Sequence, residues 1–284
     1  MDQAREIITS RQNKYVSLAA KLQDRKHRQS EGLFRFDGVK LYAEAISRGV
    51  ELSFLLTDDG RFEAADAKAR ALCGTGLDDA PCRVLRLSSD LFSKISEENA
   101  PEGVICVAKY IDKFHKVATI YSSTPDLEAL SEPDSGRILL CESLRDPGNL
   151  GTVIRTAYAF GIDCLILSRD CADLYNPKTL RGAMGTLFSQ RVICVDDMPA
   201  AIALLQSKGR CVYAAALDPA AKQLGSFAFG RGDCAVIGHE GHGLSAQVIG
   251  ACAQKVYIPM AGDAESLNAS VAASVLMWEM CREQ

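Results

Sequence analysis

Apolar residues in this chain of 284 fall into short runs separated by segments of helical spacing. From residue 137 onward, "RILLCESL", "CLILS", "QRVICVD", "CVYAAALD", "CAVIGHE" and "KVYIPM" are apolar at successive positions, which predicts strands buried on both faces. Between them lie "GTVIRTAYAFG", "MPAAIALLQSKG" and "SAQVIGACAQ", read as helices. This alternation predicts a parallel sheet covered on both sides. Upstream, "GLFRFDGVKLYAEAISRGVELSFLLTDD" predicts a short strand, a helix with Leu41, Ala45 and Ile46 on one face, and the strand "ELSFLLT". "CRVLRLS" and "GVICVAKY" predict two more strands, with helical or loop matter such as "SSDLFSKISEE" between them. In "YSSTPDLEALSEPDSG", Ser, Pro, Asp and Gly gather as they do in linkers. The predicted organisation is a small α/β domain over 1–112, a linker over 113–136 and a second α/β domain over 137–284. A chain of this length suits two domains of ~100–150 residues each.

Charge adds one feature. The net charge is −4, yet residues 1–36 hold eight Lys or Arg against four acids, a local balance of +4 that leaves −8 for the remainder. A basic arm on an acidic body suits contact with a phosphate backbone, with Arg11, Lys14, Arg25, Lys26, Arg28 and Arg35 as candidate contacts. The same stretch, "RQNKYVSLAAKLQDRKHRQSEG", reads equally as a helix with its charges in solvent. Eleven cysteines occur without a C-x-x-C pair, mostly inside strand-like runs, and read as small buried hydrophobes in a reducing compartment. No apolar run reaches the roughly 18–20 residues that span a bilayer, and "MDQAREIITSRQNKYVSL" has no signal-peptide core. A cytoplasmic protein without a membrane segment is expected.

Ligands of open parallel sheets bind beyond the carboxyl ends of strands, so the loops there hold the candidate chemistry. "GHEGHG" runs G-x-x-G-x-G, unlike the dinucleotide fingerprint, and the chain has no P-loop. His239, Glu240 and His242 lack the H-E-x-x-H spacing of a helical zinc site, so no metal is expected. The loop's glycines offer close backbone approach to a ligand instead. In "RDPGNLGTVIRTAYAFG", Pro147 and Gly148 are read as a turn, Asn149 as placed to cap, and Arg155 as reaching back toward Asn149 along roughly the same face. In "MAGDAESLN", Ser266 or Asn268 suits the N-cap of the terminal helix. Taken singly, a cap and a surface arginine account for these residues.

Together, "NLGTVIRTAYAFG", "VIGHEGHGLS" and "YIPMAGDAESLNASVAASVL", in this order near the C-terminus, resemble the three motifs of the SpoU family within the SPOUT superfamily. Its members are RNA ribose 2′-O-methyltransferases that use S-adenosylmethionine. The resemblance covers about residues 137–284, and the preceding domain is similar to the family's substrate-binding RNA domain. It implies a deep trefoil knot, against the general scarcity of knots, and a homodimer with sites near the contact. It implies a cofactor cradle of Gly238, His239, Glu240, Gly241, Ile258, Met260, Ser266, Leu267 and Asn268. Arg155 would activate the ribose hydroxyl, within a polar set of Asn149, Glu240, Ser266 and Asn268, with a carboxylate orienting the guanidinium. Lys178 and Arg181 in "YNPKTLRGAMG" are possible phosphate contacts or solvated loop charges. Val271, Val275 and Trp278 suit either the dimer contact or the core, core being the default. One mild departure is Ala269, where the family commonly has valine. Ribosomal RNA is expected over transfer RNA; the alternative is a non-catalytic RNA-binding or assembly factor on the same fold.

Overall fold

The structure, a computed structural model, describes residues 6–111, 117–118, 136–261 and 266–282. Most of the expected linker 113–136, Arg5 of the arm, and residues 262–265 of the last loop lie outside the described residues. The chain divides into two compact units, one of Met1–Ile111 with Tyr175–Phe188, the other of Asp112–Leu174 with Ser189–Gln284.

The first unit begins with helices α1 (Lys14–Lys21) and α2 (Arg25–Glu31). The single charged helix read from the sequence is thus two, because Asn13 and Asp24 each cap a helix start with the side-chain oxygen. Strand β1 (Leu33–Asp37), helix α3 (Val39–Ser47), strand β2 (Leu52–Asp58), helix α4 (Phe62–Cys73), strand β3 (Arg83–Leu87), helix α5 (Ser89–Ile95) and strand β4 (Val104–Lys109) follow. The strands form one sheet in the order β1-β4-β2-β3, in which only β2 and β3 run parallel. Val16, Ala19 and Leu22 from the helical arm pack with Phe54, Leu56, Leu91 and Ile105 in its core.

Two predicted phosphate contacts are corrected here, since Arg28 and Arg35 are each only 1% exposed. Arg28 Nη1 donates to the carbonyls of Leu22 at 2.9 Å and Gln23 at 2.6 Å, filling acceptors left open where α1 ends. Arg35 Nη2 grips both oxygens of Asp37 at 2.7 and 2.9 Å, and Asp37 also accepts from Ser96 Oγ and Glu97 N. Removing one partner from a buried ion pair costs about 3–5 kcal/mol, against at most about 1 kcal/mol for a surface pair. These two arginines therefore hold the fold and present no charge outward. Arg11, Lys14, Arg25 and Lys26 do stand exposed.

The second unit contains β5 (Val117–Ala118), β6 (Ile138–Cys141), helix α6 (Pro147–Ala159) and β7 (Cys164–Ser168). The segment Tyr175–Phe188, expected in the second domain, groups instead with the first unit and contains α7 (Pro177–Ala183). Aromatic packing accounts for this: the Tyr175 ring stacks on Tyr110 at 4.2 Å and lies 4.6 Å from Phe34, while Phe188 lies 5.5 Å from Phe36. The second unit resumes with β8 (Val192–Val195), α8 (Met198–Ser207), β9 (Val212–Ala215), β10 (Lys222–Gln223), β11 (Cys234–Ile237), α9 (Ala246–Ala251), β12 (Gln254–Tyr257) and α10 (Ala269–Cys281). Its strands form a sheet in the order β10-β12-β9-β11-β6-β7-β8-β5, parallel at every pairing.

Every residue of β6 and β11 is buried, as the consecutive apolar runs predict. Ile138 and Leu140 pack with Ile202, Leu205 and Val248 of α8 and α9, while Leu139 and Cys141 alternate to the opposite face. Helices α6 and α10 pack together, with Phe160 and Trp278 rings 5.7 Å apart. Because all strands run the same way, the loops after β6, β7, β9, β11 and β12 leave from one edge of the sheet.

Candidate active site

Strand β11 delivers Gly238 to this edge. A Cβ on Gly238 would lie 2.3 Å from the backbone carbon of Gly243, so only glycine fits. The reason is a tight loop: His239 N donates to Gly243 O at 3.0 Å, Gly243 N returns to His239 O at 2.9 Å, and Gly243 has a φ of +67°. Within the loop, Gly241 N donates to His239 Nδ1 at 2.9 Å and the rings of His239 and His242 lie 5.1 Å apart. His239 is thus engaged in shaping the loop. Among the described residues, no group of three or more His, Cys, Asp or Glu is placed to hold a metal ion.

Glu240 projects from this loop and accepts a hydrogen bond from Asn149 Nδ2 at 2.8 Å. Asn149 Oδ1 accepts from Asn268 Nδ2 at 3.1 Å, and Asn268 Oδ1 accepts from the backbone N–H groups of Ser270 and Val271 at 2.9 and 3.3 Å. The helix N–H groups require an oxygen at that end of Asn268, which fixes both amides and runs the donors in one direction, Asn268 to Asn149 to Glu240. Three loops far apart in sequence are thereby tied together. Asn268 serves as both the N-cap of α10 and a member of this chain.

Asn149 is not the cap that the sequence suggests. Asp146 is the N-cap of α6, its Oδ1 accepting from Asn149 N at 2.7 Å, and Pro147 takes the first helical position, where its fixed φ fits and no N–H is needed. Asn149 is left with its side chain free for Glu240 and Asn268. Arg155 lies six residues further along α6, a rotation of about 240° around the helix, so it does not share the face of Asn149. It is exposed and has no ion pair or hydrogen bond among the described residues, so the expected orienting carboxylate is not seen; Glu240 is held by Asn149 instead. Ser266 is exposed and likewise outside the chain of amides.

The strand order sets β9 between β11 and β12, so Gly238 and the pair Ile258 and Met260 flank the end of β9. Leu217, just past β9 and 68% exposed, follows the same edge, and the sequence analysis did not single it out. Leu267 is also exposed, whereas Ile258 and Met260 are half-buried. Also missed was Glu142, whose oxygens accept from Ser245 N at 2.8 Å and Ser245 Oγ at 2.7 Å, joining the end of β6 to the start of α9. In the first unit, Lys178 is exposed, while Arg181 Nη1 pairs with Glu97 at 3.0 Å. The stripe Val271, Val275 and Trp278 is 36–55% exposed, which corrects the default that it is core.

Known proteins resemble the chain in sequence and in fold. Residues 136–278 match the SpoU rRNA methylase family and residues 13–106 the MRM3-like substrate binding domain. The chain is 32% identical to a 23S rRNA (guanosine(2553)-2′-O)-methyltransferase of Bacillus subtilis, over 96% of this chain and 98% of that one. It is 29% identical to a 23S rRNA (uridine(2479)-2′-O)-methyltransferase of Streptomyces viridochromogenes, over 98% and 92%. The solved structure of the SpoU methyltransferase AviRb from Streptomyces viridochromogenes in complex with AdoMet superposes with a TM-score of 0.77 at 26% identity, covering 95% of this chain and 98% of that one. With three motifs meeting at one edge of a parallel sheet and both domains matched, the chain belongs to the SpoU rRNA methylase family.

Proposed function

We propose that this chain transfers a methyl group from S-adenosylmethionine to a ribose 2′-hydroxyl of ribosomal RNA. The observation that carries the reading is the directed chain Asn268–Asn149–Glu240, which joins the three motif loops at the carboxyl edge of the sheet. The cofactor supplies a methyl already activated on a sulfonium. The loop around Gly238, which admits no side chain, supports a cradle of backbone atoms, with Ile258, Met260, Leu267 and Leu217 as apolar walls. What remains for the protein is to aim the ribose oxygen at the methyl carbon, so that the C–O bond forms as the methyl–sulfur bond breaks and leaves a neutral thioether, while the hydroxyl proton passes to solvent. The guanidinium of Arg155 is a cationic hydrogen-bond donor without acceptor atoms, so its role is to align the hydroxyl and stabilise developing negative charge on the oxygen. Asn149 and Glu240, fixed by their mutual bond, hold the motif loops in register with one another.

Arg11, Lys14, Arg25, Lys26 and Lys178, all exposed, are assigned to phosphate contacts, with Arg181 beside them. A homodimer is supported by the exposed Val271, Val275 and Trp278 on α10 and Tyr158 on α6, the helix that also bears Arg155. A trefoil knot is part of the same reading, supported by membership of the family. Eleven free cysteines favour a cytoplasmic setting. The test is transfer of labelled methyl from S-adenosylmethionine to unmodified total RNA separated by size. Label is expected in ribosomal RNA; label confined to the transfer RNA fraction overturns the substrate, and cofactor binding without label in any fraction overturns the enzyme.

A further inference from the structure

Between Cys141 at the end of β6 and Pro147 at the start of α6 the chain turns through five residues. Ser143 in this turn has a φ of +57°, one of two non-glycine residues in the left-handed region among those described. A side chain there is unfavourable unless its surroundings hold it. Those surroundings come from the loop that follows β7. Ser143 Oγ donates to Asp170 Oδ2 at 2.6 Å, Ser168 Oγ donates to Asp170 Oδ1 at 2.6 Å, and Ser143 N donates to Ser168 Oγ at 2.8 Å. Arg145 Nη2 reaches the same Asp170 Oδ2 at 3.1 Å, and Ala172 N bonds Leu144 O at 2.8 Å. On the other flank, Glu142 is tied to Ser245 at the exit of the Gly238 loop.

We propose that Asp170 is a positioning residue for methyl transfer, its carboxylate pinning the left-handed turn at Ser143 from which the chain enters the helix carrying Asn149 and Arg155. The inference rests on the methyltransferase reading above. Asp170 lies outside all three motif segments and touches no member of the Asn268–Asn149–Glu240 chain; it acts through the turn. Partial burial raises its pKa, but the donors Ser143, Ser168 and Arg145 outweigh this and keep the carboxyl ionised below the ordinary range. An ionised acceptor can hold all three donors at once, which an amide cannot. With the turn released, the first turn of α6 loses its fixed approach, and the bonds of 2.8 and 3.1 Å made by Asn149 have no slack to absorb a shift.

The test compares Asp170→Ala, Asp170→Asn and the double variant Asp170→Ala with Ser143→Gly. Glycine adopts a φ near +57° without a pin, so it relieves the need for the carboxylate if the turn is what Asp170 controls. Because small displacements of catalytic groups cost up to about a hundredfold, Asp170→Ala is expected to lower kcat by about tenfold or more with KM for RNA nearly unchanged. Asp170→Asn is expected to fall between it and the parent, and the double variant to recover most of kcat. Amide hydrogen exchange at Ser143 and Asn149 is expected to quicken in Asp170→Ala and to slow again in the double variant. A parental kcat in Asp170→Ala, or a double variant no better than the single one, overturns the proposal. Unchanged exchange at both amides overturns it independently of turnover, so failure of the pin is distinguishable from failure of the methyltransferase assignment.

Discussion

Gly238 is the residue at which backbone geometry leaves least freedom. Its missing side chain lets the His239–Gly243 loop close back onto the end of β11, with a Cβ at this position 2.3 Å from a backbone carbon. Gly238→Ala is expected to destabilise the fold by about 1–3 kcal/mol, the usual cost of overpacking, and to weaken S-adenosylmethionine binding by more than tenfold. Denaturant unfolding and calorimetry check the two effects, and parental affinity in this variant contradicts a backbone-lined cradle. The motif residues were legible in sequence, but their bonds were not. Asn149 was readable as a cap because Asn suits that position, yet Pro147 takes the first helical position and places the cap at Asp146, three residues before Asn149. Arg28 and Arg35 show the opposite limit. A local positive balance counts charges without revealing that Leu22, Gln23 and Asp37 supply buried partners for two of them.

Among elements, the pair α6 and α10 has two functions to reconcile. On these helices Val153, Ile154, Leu276 and Met277 are buried, while Val271, Val275, Trp278 and Tyr158 remain open to solvent. Burying a large apolar side chain is worth about 1.5–3 kcal/mol, so a few such residues account for a stable contact between two copies. Trp278→Lys combined with Val275→Lys is expected to convert a dimer into a monomer in analytical ultracentrifugation, with the α/β fold intact by circular dichroism. A parent that sediments as a monomer contradicts the assigned interface. The strands of the second unit could be read directly, since a sheet covered on both faces needs consecutive apolar residues. Helix α4 could not, because its buried positions are Phe62, Ala65 and Ala69, and alanines give little periodic signal. The grouping of Tyr175–Phe188 with the first unit also escaped notice, as ring stacking of Tyr175 on Tyr110 leaves no mark in local spacing.

At the scale of the whole molecule, the chain pairs a four-stranded unit matching a substrate-binding domain with an eight-stranded unit matching the methylase family. The two 23S rRNA relatives modify different nucleotides, one a guanosine and the other a uridine, so the shared fold does not carry the choice of target. Chemistry is expected to reside in the loops that Asn149, Glu240 and Asn268 tie together, and target selection in the substrate-binding unit. The most direct measurement of this account locates the methyl group itself. Unmodified ribosomal RNA incubated with the protein and S-adenosylmethionine is predicted to acquire one alkali-resistant dinucleotide, because a methylated 2′-oxygen no longer attacks the neighbouring phosphate. Arg155→Ala, still binding S-adenosylmethionine in calorimetry, is predicted to form that dinucleotide about a hundredfold more slowly or worse, the usual loss on removing a charge-stabilising group. A methyl group recovered on a base, or a parental rate in the variant, would contradict the account.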